Sequence, residues 1–125
     1  EVSEVNEMLT QMESFSGVFI ASTNLMPGLD QAALRRFDLK VKFDFLRLEQ
    51  AWELVRRYCK QFQLPAPQPD LLTRTMRLQR LTPGDFAAVL GQHRFRPIQS
   101  PATLISALEA ECAVKEGGKA SIGFL

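Results

Sequence analysis

Cysteine and histidine are scarce in this sequence, which has two cysteines and one histidine among 125 residues. Cys59 and Cys112 form no CxxC motif and His93 is the only imidazole, so a Cys/His zinc site would lack ligands. We therefore expect no metal site. Because both cysteines lie among apolar residues at helical spacing, we expect buried reduced thiols, which indicate a cytoplasmic compartment.

Long apolar runs and a strong excess of one charge are also absent. No run approaches the ~18 apolar residues of a membrane span, and no charged and then apolar leader opens the chain, so no membrane partner is expected. Fifteen Lys+Arg against fourteen Asp+Glu give a net charge of +1. This balance argues against a nucleic-acid partner.

The charge is distributed unevenly along the chain. Residues 1–46 carry 4 basic and 7 acidic side chains, a net charge of −3, whereas residues 47–125 carry 11 and 7, a net charge of +4. This asymmetry predicts two substructures, one over residues 1–46 and one over residues 47–125.

The pattern of the first part predicts helices and strands. Apolar residues at spacings of three and four predict an amphipathic helix over residues 2–12. The short apolar run 18–21 is typical of a strand buried on both faces of a parallel sheet, and the alternating segment 39–45 predicts an edge strand. Asp30 is expected to cap a short helix between them.

The second part predicts only helices. From Leu48 the apolar residues follow helical spacing, which predicts a helix to about Phe62. The three prolines in residues 65–69 prevent it from continuing. Three further helices are predicted, capped by Asp70, by Thr82 with Pro83 and Asp85, and by Ser100 with Pro101. Gly117-Gly118 should end the last helix. The predicted fold is an α/β remnant followed by an all-α bundle of four helices, mainly helical overall.

No catalytic cluster can be assembled from these residues alone. Paired carboxylates, a Ser/His/Asp triad and a metal cluster all lack specific support, and His93 is expected to be a surface residue of an Arg-rich loop.

The informative stretch consists of three segments: residues 5–15, then Val18-Phe-Ile-Ala-Ser-Thr-Asn24, then Leu29-Asp-Gln-Ala-Ala-Leu-Arg-Arg-Phe-Asp38. In order, spacing and identity they resemble the second region of homology of the AAA ATPases. The helical part resembles the AAA lid, with Leu81-Thr-Pro-Gly-Asp-Phe-Ala-Ala-Val89 similar to its Gly-rich helix start. The resemblance implies the C-terminal strands of a parallel P-loop NTPase sheet and a four-helix lid.

The resemblance also implies site residues. Asn24 corresponds to the sensor-one residue, whose amide lies between the attacking water and the γ-phosphate, and an amide can serve both as donor and acceptor there. Arg35 and Arg36 match the arginine fingers that act in the neighbouring subunit's site. The Pro-Gly that usually separates them is missing, and Arg36, directly before Phe37-Asp38, is the better candidate.

The resemblance to the AAA lid also bears on Gly84 and on three arginines. The resemblance implies that the backbone at Gly84 lies close to the adenine. The alternative is that glycine only relieves backbone strain at the start of the helix. No confident sensor-two arginine is present, since ordinary surface charge explains Arg74, Arg77 and Arg80.

The sequence contains no GxxxxGK[ST] motif and no apolar strand ending in Asp-Glu, and both lie upstream of this stretch in the family. Together with a first residue that is not methionine, this suggests a fragment that alone is inactive and binds no cofactor. The full-length parent would hydrolyse ATP with Mg²⁺ in a homo-oligomeric ring of neighbouring AAA subunits and remodel an unknown protein substrate. The fragment is expected to self-associate through open strand edges. The alternative is a non-catalytic helical interaction domain in a degenerate AAA-like protein.

Overall fold

The structure is a computed structural model that describes residues 2–24 and 31–116. The chain divides into two units, Glu1–Lys42 and Phe43–Leu125. The first unit contains α1 (Val2–Glu13) and α2 (Gln31–Leu34). The second contains α3 (Leu48–Gln61), α4 (Asp70–Met76), α5 (Pro83–His93) and α6 (Pro101–Glu116).

The predicted strands over residues 18–21 and 39–45 are not formed, so the expectation of an α/β remnant is wrong. All regular secondary structure in the described ranges is helical. Val18 and Ile20 are 85% and 86% exposed, which is the opposite of a strand buried on both faces. A strand needs a neighbour for its N–H and C=O groups, and neither segment has one in the described part of the chain.

The first unit confirms the predicted amphipathic helix. Leu9 of α1 is 1% exposed, and the Ser14 hydroxyl donates to the Gln11 carbonyl (2.9 Å) where the helix ends. In the same unit the rings of Phe19 and Phe37 lie 6.5 Å apart. Asp30, the predicted cap of the short helix, lies outside the described residues.

The second unit has its own apolar core, and α6 packs against α3, α4 and α5. On α3 the buried residues Ala51, Val55 and Cys59 follow each other at four-residue spacing, as the predicted helical stripe requires. The core residues, all nearly inaccessible to solvent, are Ala51, Val55, Cys59, Leu71, Leu81, Phe86, Val89, Ile98, Leu104, Ile105, Leu108 and Cys112.

The predicted helix start at Leu48 is confirmed, and so are two of the three predicted capping residues, Thr82 and Ser100. The Thr82 hydroxyl accepts from the Asp85 N–H at α5, and the Ser100 hydroxyl accepts from the Thr103 N–H (3.1 Å) at α6. Asp70 is instead the first helical residue of α4; Pro69 precedes it at the cap position and makes no side-chain cap bond. The predicted stop at Gly117-Gly118 lies beyond the described residues.

Cys59 and Cys112 are buried free thiols, as predicted, and burial raises the pKa of both. Among the helices that the structure describes, none combines the length and the apolar character that a membrane crossing requires.

Candidate functional site

Asn24 lies at the end of an irregular, exposed segment of the first unit. The sequence predicts this residue at the carboxyl end of a strand, and that strand is absent. The next residues, 25–30, lie outside the described ranges.

Arg35 and Arg36 form the turn that ends α2. Their N–H groups donate to the carbonyls of Gln31 (3.1 Å) and Ala33 (3.2 Å), which continues the helical pattern by one turn. The Lys40 ammonium donates to the carbonyls of Leu34 (3.2 Å) and Phe37 (2.9 Å), so a cation satisfies the carbonyl end of this short helix.

The two arginines differ in their partners. Nη1 of Arg36 lies 3.0 Å from Oε1 of Glu13, and the side chains are 42% and 54% exposed. An exposed pair of this kind contributes about 0–1 kcal/mol, so Arg36 can leave Glu13 for another anion at little cost. Arg35 is exposed and has no ion-pair partner in the part of the chain that the structure describes.

Gly84 is the second residue of α5 and is exposed. A Cβ built on it would meet only Oγ1 of Thr82, at 3.4 Å, which is ordinary contact. The described fold therefore does not require glycine here. A close approach by another molecule would be a reason for the missing side chain.

Five residues surround the start of α5 and are joined by hydrogen bonds and cation–π contacts. We call them the α5 cap cluster: Thr82, Asp85, Lys115, Arg80 and Phe45. Oδ2 of Asp85 accepts from the Thr82 N–H (2.8 Å), while the Asp85 N–H donates to Oγ1 of Thr82 (3.3 Å). This reciprocal capping box satisfies two backbone donors at once. The Lys115 ammonium of α6 then donates to the same carboxylate oxygen (2.7 Å) and to the Arg80 carbonyl.

The charge of Asp85 is stabilised by these bonds. Burial raises its pKa, but the hydrogen bonds from Lys115 and Thr82 outweigh that effect and the pKa is lowered overall. The carboxylate therefore stays ionised beside the amino end of α5, where a negative charge is favourable.

Phe45 brings the segment that leads into α3 to the same cluster. The Arg80 guanidinium carbon lies 5.4 Å from the centre of its ring and the Lys115 ammonium lies 5.8 Å from it, both within cation–π range. The Leu46 N–H donates to the Leu81 carbonyl (2.8 Å). The start of α5, the end of α6 and the segment before α3 are thus joined around one carboxylate.

Arg74, one of the arginines attributed to surface charge, has a structural role. Its Nε and Nη2 lie 3.1 Å and 2.6 Å from the two carboxylate oxygens of Glu109, which ties α4 to α6. The hydrogen bonds between them lower the pKa of Glu109 and raise that of Arg74. Arg77 is exposed.

His93 was expected in a loop, and this is wrong: it is the last residue of α5. Its ring stacks on Phe62 at 4.1 Å, and Nδ1 accepts from the Ile98 N–H (2.9 Å). An imidazole that accepts at Nδ1 carries its proton on Nε2 when it is neutral. These contacts hold the loop between α5 and α6, which is a structural role.

The predicted site residues are divided between the two units. Asn24, Arg35 and Arg36 belong to the first unit and Gly84 to the second. Sequence reasoning missed Lys115 and Phe45, which carry no local signal because their partners lie 30 or more residues away.

In the described ranges no group of three or more His, Cys, Asp or Glu side chains could hold a metal ion. Comparisons of the chain with protein-family models, curated proteins and solved structures find no match.

Proposed function

We propose that this chain is the C-terminal part of an AAA ATPase, whose full-length form binds and hydrolyses ATP in a homo-oligomeric ring and remodels a protein substrate. The observation that carries the proposal is the run of residues 5–38, with Asn24 before the short helix and the arginine pair directly after it. The position of Arg35 and Arg36 supports it, since both side chains are exposed in the turn that ends α2.

The helical unit supports the same proposal. It follows the motif directly, it has its own core, and α5 begins with an exposed glycine behind a capping box. In this proposal Gly84 lies against the adenine, and the α5 cap cluster holds the helix start that presents it. Buried free cysteines support a cytoplasmic location.

Each site residue has a chemical task in this proposal. The Asn24 amide accepts from the attacking water and donates to a phosphate oxygen. Arg36 neutralises the charge that develops on the phosphoryl group in the neighbouring subunit's site. The phosphate-binding loop and the carboxylates for Mg²⁺ are absent from this sequence, so ATP and its metal would bind where a further part of the protein supplies them.

Mixing subunits of the full-length protein tests the arginine assignment. Arg36→Ala should lower the ATPase rate on the order of 10³-fold, because the arginine acts only on the transition state. Adding subunits that are inactive at their own ATP site but carry Arg36 should restore activity, since they supply the arginine to the variant's site. The matched control is Arg56→Ala, an exposed arginine of α3 paired with Glu53, which should leave the rate unchanged.

Failure of the rescue would show that Arg36 does not act across subunits. The same measurement on Arg35→Ala decides which arginine is the finger. An unchanged rate in both arginine variants would show that neither arginine is the finger. A full-length protein without ATPase activity would favour the alternative of a non-catalytic interaction domain.

A further inference from the structure

The loop between α5 and α6 presents a phenyl ring to solvent. Phe95 is 91% exposed, although it is one of the larger apolar side chains of the unit. The loop backbone that carries it is held in place: the N–H groups of Phe95 and Arg96 both donate to the Gln92 carbonyl, at 3.0 and 2.9 Å. The bond from the Ile98 N–H to His93 fixes the following residues. The ring is therefore displayed by an ordered backbone, which lowers the entropic cost of binding through it.

A groove of about 600 Å³ adjoins this ring, between the loop and α6. Its lining includes Phe95, Pro97 and Ile98 from the loop and Ala107 and Ala110 from α6. We call it the Phe95 groove. Its volume is within the range of sites that accept an apolar side chain or a small ligand, and its small alanines leave room for one.

Two cations flank the ring. Arg94 and Arg96 are exposed, and neither has an ion-pair partner among the residues that the structure describes. By contrast, Arg47, Arg56 and Arg74 of the same unit each have a carboxylate oxygen within 3.2 Å. Arg96 lines the groove, and Arg94 directly precedes Phe95 in the chain. Each guanidinium group is thus available for a carboxylate, which it can bind through two parallel hydrogen bonds.

We propose that the Phe95 groove is a docking site for an acidic peptide segment, in which an apolar side chain enters the groove and neighbouring carboxylates pair with Arg94 and Arg96. The charge pattern argues for a peptide rather than a nucleic acid. A protein that binds a nucleic acid typically contacts about 6–10 phosphates, whereas the loop supplies two guanidinium groups, those of Arg94 and Arg96. This proposal does not depend on the ATPase function.

Selection from a displayed library of random peptides of about ten residues tests it, with the full chain as bait. Peptides that also bind the triple variant Arg94→Gln, Phe95→Ser and Arg96→Gln are removed first. The peptides that remain should carry a large apolar residue next to more than one Asp or Glu. In fluorescence polarisation, Phe95→Ser and Arg96→Gln should each weaken a labelled selected peptide by about tenfold, the equivalent of about 1.4 kcal/mol.

The matched control is Arg56→Gln, which removes an exposed arginine outside the groove and should leave peptide affinity unchanged. Thermal melts check that the variants fold. Ala110→Glu gives a second route, because it places a carboxylate in the groove at an exposed helical position and should repel the same peptides. A selection that yields no peptide able to distinguish the chain from the triple variant overturns the proposal. So does a labelled oligothymidine that binds through these three residues more tightly than any selected peptide.

Discussion

In the proposed ATPase, folding and ligand binding would make opposite demands on Gly84. Its position accepts a Cβ without a clash, and glycine within a helix is less favourable than alanine. A glycine that the fold does not need, at an exposed helix start, is consistent with close approach of a ligand in the proposed ATPase.

Gly84→Ala should therefore raise the free energy of unfolding of the chain by about 0.5–1 kcal/mol, measured by urea denaturation. In the full-length ATPase the same change should weaken ATP binding, because the methyl group would occupy the space of the base. Gly91→Ala is the matched control, since this glycine lies in the same helix with no atom near its Cβ position. Equal ATP affinity in the two variants would show that Gly84 has no contact with the base.

The ion pair between Arg36 and Glu13 does not decide which arginine is the finger. Sequence position favours Arg36 as the finger, and Arg36 is the one that pairs with Glu13. The energy of such an exposed pair is small, so the contact neither supports nor opposes a catalytic role.

At the scale of elements, one ion pair ties α5 to α6. Lys115 reaches across to Asp85 and satisfies the Arg80 carbonyl as well. Asp85 is nearly buried, so its carboxylate depends on this partner and on Thr82. Loss of the lysine would leave this buried carboxylate with hydrogen bonds from Thr82 alone.

Lys115→Met should accordingly lower the free energy of unfolding at pH 7 by about 1–3 kcal/mol. The lowered pKa of Asp85 means that its stabilising contribution is present above the pKa of the unfolded chain and is lost as the pH falls through the folded value. The difference between wild type and variant should therefore be largest near neutrality and shrink in acid. Urea denaturation over a pH series measures it.

Lys60→Met serves as the control for this series. Lys60 occupies the last turn of α3, is exposed, and has no ion pair in the described ranges. A surface change of this kind is expected to alter stability by no more than about 0.5 kcal/mol at any pH. If the difference in unfolding free energy between wild type and Lys115→Met does not change with pH, the lysine acts through packing alone.

At the scale of the whole molecule, the two units differ in how much apolar surface they bury. The unit Phe43–Leu125 has a continuous core, whereas Val18, Ile20, Leu39 and Val41 of the unit Glu1–Lys42 are exposed. Exposed apolar side chains in this number favour association, because burial is worth about 25 cal/mol per Å².

We therefore expect the full chain to self-associate and residues 43–125 to be monomeric, as measured by sedimentation velocity. The strand edges that the sequence predicted are not needed for this outcome, since the apolar side chains themselves are exposed. Val18→Ser together with Ile20→Ser should shift the full chain toward the monomer. A monodisperse monomer of the unmodified chain at high concentration would contradict the expectation.

The helices and most of their ends could be predicted from the sequence, because their causes are local. The stripe through Ala51, Val55 and Cys59, the capping box at Thr82 and the side-chain cap at Ser100 each join residues within four positions of the next. The candidate site residues were identified by motif, and the structure gives the local geometry of each within its own unit.

Only the tertiary structure decided the remaining features, because each depends on residues far apart in the chain. An apolar run such as residues 18–21 has the composition of a strand, but a sheet forms only where a second strand pairs with it, and no pattern within the run reports that partner. The contacts from Lys115 to Asp85 and from Arg74 to Glu109 join residues 30 and 35 positions apart. These pairs form because α6 packs against α4 and α5. The ionised state and the burial of Asp85 therefore follow from the tertiary structure and not from the local sequence.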